Sequence, residues 1–325
     1  LGAGTASRFG GRLPFLLKVL AADRALSIQV HPTREQAEAG FAAELAAGVA
    51  PESPERNYRD ANHKPEMAYA LTEFDAFCGF RPVADTARLF QALDVPELLA
   101  YRELLLSEGG LRTVFTTMLT LQGAARRQLI DRTVAGCRRL AATAGDWSAV
   151  AAASVLAAED YPDDIGPVLA LLLNYVRLAP GEAIFLGAGN VHAYLRGVCV
   201  ELLANSDNVL RCGLTGKHVD VPELLRIADF TATPQPRREP SCSDGTRVAF
   251  RLPVPDFALA VCQGGAELPG DRPHLVLAGE RPVTVTEPGG TAAELAPWHA
   301  AFVAAGPGAC SVRSAGRSFL ASVGD

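Results

Sequence analysis

Apolar and polar residues alternate strictly through Leu26-Ser-Ile-Gln-Val-His31, a pattern that predicts a half-buried strand. Successive strand side chains face opposite ways, so Leu26, Ile28 and Val30 share one side. Ser27, Gln29 and His31 share the other, and Pro32 ends the strand. The apolar run Leu13 to Leu20 predicts a buried strand just before it. Thr33 to Ala47 then predicts a helix, with Thr33 as N-cap and Gln36 at capping-box spacing. Ala50 to Asp60, with its prolines and arginines, reads as a loop. Glu66 to Phe80, carrying Phe74, Phe77 and Phe80, has strand character.

The pattern changes at Asp85. From there to about Asn174 the chain is rich in Ala, Leu and Arg and poor in strand signals. Asp85 is expected to cap one helix, and Pro96 suits the first turn of the next. Leu111, Val114, Phe115, Met118 and Leu119 recur at helical spacing. Trp147 to Ala158 continues it, and Asp164 to Val176 reads as a last helix. Strand chemistry resumes at Ala179 to Leu186, and short apolar runs alternate with Gly, Asn and Asp turns as far as Thr215. Thr231 to Asp244, with Pro234, Pro236 and Pro240, reads as a linker. Many short strands follow. The expected fold is mainly β with an inserted all-α domain and a second, C-terminal β domain.

Composition narrows the function. The 325 residues suggest about two to three domains, and 49% hydrophobic content is ample for a core. A net charge of −6 gives no broad attraction to nucleic acid or anionic lipid. No apolar run is long enough to span a bilayer, and no basic-then-apolar leader opens the chain. The 7 cysteines form no CxxC pair, so a reducing cytoplasm is the expected setting.

Three stretches carry chemistry: Leu26 to His31, Asn62-His-Lys-Pro-Glu66, and Gly189-Asn-Val-His-Ala-Tyr194. Together they offer Gln29, His31, Glu66 and His192 to one metal ion. Lys64 and Glu66 are two apart, as are His192 and Tyr194, so each pair shares a strand face. Glu201 shares a face with Cys199, opposite Val198, Val200 and Leu202, and is a candidate acid or base. Asn205-Ser-Asp-Asn208 is turn chemistry, so Asp207 reads first as a turn-former. Arg211 follows among apolar and small neighbours and needs an anionic partner.

The spacing Gly181, Gly187, His192 resembles the second motif of the cupin barrels, with Gly187 where Pro is usual. The resemblance becomes specific in Ser27-Ile-Gln-Val-His-Pro32, Tyr58-Arg-Asp-Ala-Asn-His-Lys-Pro-Glu-Met67, Gly189 to Tyr194, Glu201 and Asn205 to Arg211. These stretches resemble the type I mannose-6-phosphate isomerases. The resemblance implies a cupin-type β-barrel or jelly roll from residues 1–84 and 175–230, a helical insertion at 85–174, and a cupin-like β domain at 231–325. Family members begin earlier, with strands bearing a Trp-Gly pair and a His-Pro element. The first barrel is therefore expected to lack N-terminal strands.

The resemblance places the metal ligands on Gln29, His31, Glu66 and His192. It implies one Zn²⁺ per chain, with Mn²⁺, Co²⁺ and Fe²⁺ also compatible with these donors. It places the catalytic Arg on Arg211. Ser27, Lys64, Tyr194 and Arg211 are expected to face substrate, with filling of the barrel the alternative for Tyr194. The implied reaction interconverts D-mannose 6-phosphate and D-fructose 6-phosphate through a cis-enediol. The base stays open among Glu201, Asp207, a metal-bound water and Lys64. The expected partner is a small sugar phosphate, and the expected state a cytoplasmic monomer. Two other readings compete: a catalytically silent cupin that binds metal or sugar phosphate for regulation, and a cupin oxygenase.

Overall fold

The computed structural model describes residues 1–233, 237–238, 240–243 and 245–324. Contacts divide the chain into two compact units. One comprises Val19–Val200 with Ser206–Arg237, and the other Leu1–Lys18, Glu201–Asn205 and Arg238–Asp325.

The first unit is built on antiparallel pairing among β1 (Phe15–Ala22), β2 (Ile28–Val30), β3 (Glu66–Ala70), β4 (Phe74–Phe80), β5 (Leu173–Leu178), β6 (Ala183–Leu186), β7 (His192–Ala204) and β8 (Leu210–Gly213). The sheet runs β5-β4-β7-β3-β6, while β1 and β2 also pair with β7, and β8 pairs with β2. β7 is the hub because its 13 residues are long enough to meet several partners.

Alternation along these strands feeds two cores. Phe74, Ala76 and Cys78 of β4 join Ala68, Ala70, Val176, Leu178, Ile184, Leu186, Tyr194 and Cys199 in an inner core. Phe77 and Phe80 face the other way, with Ile28, Val30, Ala193 and Leu195, into a larger core shared with the helices. At Gly79, φ of 66° lets the strand shift register between Phe77 and Phe80. A Cβ there would also lie 2.8 Å from the Thr233 hydroxyl oxygen.

Eight of the helices are α1 (Ala3–Arg8), α2 (Arg34–Ala46), α3 (Val83–Leu93), α4 (Pro96–Leu105), α5 (Gly110–Thr120), α6 (Gly123–Ala141), α7 (Ser148–Asp160) and α8 (Gly166–Leu169). The six from α3 to α8 follow one another without a strand between them. α2 begins with the expected capping box: the Thr33 hydroxyl accepts the Gln36 amide, and the Gln36 side chain accepts the Thr33 amide. Pro96 opens α4. A ninth helix, α9 (Val221–Ile227), is capped by Asp220, which accepts the Glu223 amide at 3.1 Å. Its 7 residues are too few to show a period in the sequence.

Three local expectations are corrected and one, the strand character of Glu66 to Phe80, is refined. Asp164 to Val176 is not one helix: α8 passes through one 3₁₀ turn, and Leu173 enters β5, whose pairing with β4 decides the outcome. Asp85 lies in the first turn of α3 rather than at its cap, where Pro82 stands. Glu66 to Phe80 is two strands separated by a turn at 71–73. Leu26 precedes β2 and packs on the inner core, away from Ile28 and Val30. Of the expected linker, Pro234, Pro236 and Asp244 lie outside the described residues.

The second unit carries an antiparallel sheet centred on Ala258–Leu268 and Cys310–Ser322, which pair along most of their length. Its core includes Val276, Val283, Val312 and Leu320. All seven cysteines are free thiols. Among the described residues no helix is long and apolar enough to cross a membrane.

Candidate metal centre

The inner face of the first unit's sheet carries a row of polar side chains. Gln29 of β2 lies opposite His192 of β7 on one side and opposite Arg211 of β8 on the other. Cys78 of β4 lies opposite His192 in turn. Directly opposed residues in antiparallel strands have Cβ atoms about 4.5–5.5 Å apart, so Arg211, Gln29 and His192 are side-by-side neighbours.

His31 and Glu66 complete the cluster. Ligand atoms of His31, Glu66 and His192 all lie within 4.8 Å of one another, and all three residues are buried. His31 Nε2 stands 3.3 Å from Glu66 Oε1, and His192 Nε2 3.4 Å from Glu66 Oε2. The Lys64 ammonium lies 3.1 Å from Glu66 Oε1, although Lys64 stands before β3, so the two meet across the strand's entry rather than on one strand face.

Both imidazoles are held from behind. His31 Nδ1 donates to the Asn208 carbonyl at 2.7 Å, and His192 Nδ1 donates to the Asn190 carbonyl at 2.9 Å. A carbonyl can only accept, so each Nδ1 carries a proton, and in the neutral imidazole Nε2 is then the atom left to accept. Those Nε2 atoms and Glu66 Oε2 are buried without a hydrogen bond of acceptable geometry. Three buried acceptors aimed at one point cost stability unless a cation meets them. A backbone carbonyl behind each histidine is also the usual second contact of a metal ligand. The donors of His31, Glu66 and His192 therefore fit a divalent transition metal, and Gln29 is the register neighbour of His192.

Electrostatics agree. Burial pushes the His31 imidazole from its ordinary 6.5 down to about 4, with Lys64 and His192 reinforcing and Glu66 opposing. His31 is neutral at pH 7, the state a metal needs. Burial alone would raise the Glu66 carboxyl, but Lys64 and the two histidines hold it well below its usual range. Gly189 ties the ligand strands together: its amide donates to the His31 carbonyl at 2.9 Å. Its φ of 75° places Asp229 where a Cβ would meet it at 3.0 Å.

Other expected site residues fall variously. Tyr194 is buried, its ring 5.9 Å from His192 and edge-on to Phe74 at 5.2 Å. Arg211 is half-buried, and among the described residues no carboxylate pairs with it; burial and Arg59 lower its pKa. Ser27 is half-buried just before β2. Asp207 is exposed, and its amide donates to Asp60 Oδ2 at 2.8 Å, a tether to a distant loop. Glu201 is buried nine positions beyond His192 on β7, in the segment belonging to the other compact unit.

Two residues that sequence reasoning passed over support the ligands, Asn190 and Asn208. The only signal was their place in the Gly189–Tyr194 and Asn205–Arg211 stretches. Both act through backbone carbonyls, which no side-chain motif reveals.

The family description "phosphomannose isomerase type I, catalytic domain" matches residues 2–83. Mannose-6-phosphate isomerase of Salmonella typhimurium is 42% identical over 266 residues, covering 80% of this chain and 66% of that one. The Escherichia coli K12 mannose-6-phosphate isomerase is 38% identical over 325 residues, covering 98% of this chain and 80% of that one. A solved mannose 6-phosphate isomerase in a zinc-bound holo form superposes with a TM-score of 0.88 at 36% identity, covering 100% of this chain and 82% of that one. Such identity over nearly the whole chain, joined to a buried histidine–carboxylate cluster on cupin strands, shows that the chain belongs to the type I phosphomannose isomerase family.

Proposed function

We propose that this chain is a metal-dependent aldose–ketose isomerase that interconverts D-mannose 6-phosphate and D-fructose 6-phosphate. The observation that carries the reading is the convergence of two tautomer-fixed imidazoles and one carboxylate on a single buried point. The relatives bear the activity in their names, and the zinc-bound neighbour favours Zn²⁺. Gln29, His31, Glu66 and His192 would hold the ion. A Zn²⁺ ion in this setting supplies Lewis acidity toward the sugar's carbonyl and hydroxyl oxygens.

The chain's own side chains do the rest. In a 1,2-isomerisation a proton moves between C1 and C2 while negative charge builds on the enediolate oxygens. Arg211, beside Gln29 and without a carboxylate partner among the described residues, stabilises that charge as it forms. Lys64, already held at Glu66, presents a second cation to the same oxygens. The Tyr194 ring, 5.9 Å from His192 and packed on the buried Phe74, would keep water from that side of the cluster. The phosphate, remote from the reacting carbons, supplies binding energy for positioning.

We also infer a reducing cytoplasm, supported by seven free thiols, and a monomer without nucleic-acid or membrane partners, supported by the net charge of −6. The test is a coupled assay of fructose 6-phosphate formation with metal content read by elemental analysis. The purified protein is expected to carry about one Zn²⁺ per chain, to lose activity on chelation and to regain it with Zn²⁺. Full turnover in metal-free protein, or none after zinc loading, would overturn the proposal.

A further inference from the structure

One buried side chain fastens together two loops that bear on the metal centre. Asn208 is fully buried. Its side-chain oxygen accepts the amides of Arg59 at 2.7 Å and Asp60 at 3.2 Å. Its side-chain nitrogen donates to the carbonyls of Asp60 and Asn62, each at 2.8 Å. Asp60 closes the clasp from the other side. Its carboxylate accepts the Asn62 amide at 2.9 Å, the Ser206 hydroxyl at 2.8 Å and the Asp207 amide at 2.8 Å.

Neither loop has regular secondary structure at these positions, so these bonds fix where the Asn208 backbone sits. The carbonyl of that same residue holds His31 Nδ1. We infer that Asn208 is a positioning residue for the metal centre: its amide clasps the 59–62 loop, and its carbonyl thereby sets the pitch of the His31 imidazole and the cation affinity of the site.

An amide is needed because one atom must accept two N–H groups while the other donates to two carbonyls. A carboxylate at this position would face those carbonyls, and the Asp60 carboxylate, with no proton to give. His192 is held by Asn190, two residues away on its own segment. Breaking the Asn208 clasp should therefore loosen one imidazole and leave the other in place. The result is a weakened and distorted site rather than an abolished one.

The inference rests on the reading that His31 ligates a cation, and the experiment separates the two. Asn208→Asp and Ser206→Ala are compared with wild type as metal-free protein. Zn²⁺ dissociation constants come from chelator competition, ligand geometry from the visible absorption of the Co²⁺-loaded forms, and folding from far-UV circular dichroism and thermal midpoint. Asn208→Asp should bind Zn²⁺ about 10–100-fold more weakly, the usual cost of losing a ligand's support, and shift the Co²⁺ bands. Ser206→Ala should move both in the same direction by a smaller factor.

A purely structural role would lower the thermal midpoint and leave affinity and spectrum alone, and that result in folded Asn208→Asp overturns the inference. Should Asn208→Asp fail to fold, Ser206→Ala decides, and wild-type affinity and spectrum there overturn it equally. Wild-type protein with no tight Zn²⁺ site would remove the metal reading itself, and this inference with it. Tight wild-type binding shared by both variants would remove the inference alone.

Discussion

The depressed His31 imidazole makes the metal-free fold sensitive to acid, and a comparison with a His31 variant separates its share from that of His274, which burial also lowers. In the unfolded chain His31 takes up its proton near 6.5, while in the fold it resists until about 4. A group whose folded pKa is depressed gives stability that is present above the unfolded pKa and is lost as pH falls toward the folded one. Between pH 7 and pH 5 the unfolded His31 becomes almost wholly charged and the folded one barely begins. By linkage this residue removes about 2 kcal/mol of stability over those two pH units.

Glu66 adds almost nothing in the same window, because both its folded and unfolded forms are ionised above pH 5. The assay is urea unfolding of metal-free protein at pH 5, 6 and 7 in a Trp298→Phe background, followed by the fluorescence of Trp147, which packs beside Arg81 in the first unit. His31→Gln serves as the reference, and the histidines common to both proteins cancel. Wild type should lose about 2 kcal/mol more than the variant. Equal losses would refute a neutral, buried His31.

Three further outcomes follow from the geometry. Glu66→Gln removes the one carboxylate that, among the described residues, faces both imidazoles, and strands the Lys64 ammonium; it should cost about 3–5 kcal/mol of metal-free stability, read by urea unfolding, and markedly weaken Zn²⁺ binding, read by chelator competition. Arg211→Ala should lose turnover far more than metal content, and unchanged turnover in the coupled assay would refute its role. Thr33→Ala breaks the capping box of α2 and should cost about 1 kcal/mol in urea unfolding without altering zinc content.

The fold was legible where local pattern and tertiary environment agree. Gln29 follows simple alternation into the site, and the Thr33 cap needed only three residues of context. The pattern failed where it carried no period. Pro167 to Leu173 is an unbroken apolar run, equally compatible with helix and strand, and only the pairing of β5 with Phe74 to Phe80 settles it. Among Asn205, Ser206, Asp207 and Asn208, turn chemistry could not say which residue is buried. The partners that decide it, Arg59, Asp60 and Asn62, lie 146 to 149 residues away. The donors were legible as residue types, while the carbonyls that aim the histidines were invisible until the chain was folded.

The strands that carry Glu66 and face His192 are sealed on both sides. All five residues of β3 are buried, and in β4 only Asp75 escapes. Such strands hold almost no neutral positions, because any change in side-chain volume is felt by one core or the other. Drift in sugar preference would then accumulate outside them, in the irregular segments 57–65, 187–191 and 205–209. A library aimed at new substrates belongs in those segments, sparing Asp60, Lys64, Asn190, Ser206 and Asn208, which hold the cluster.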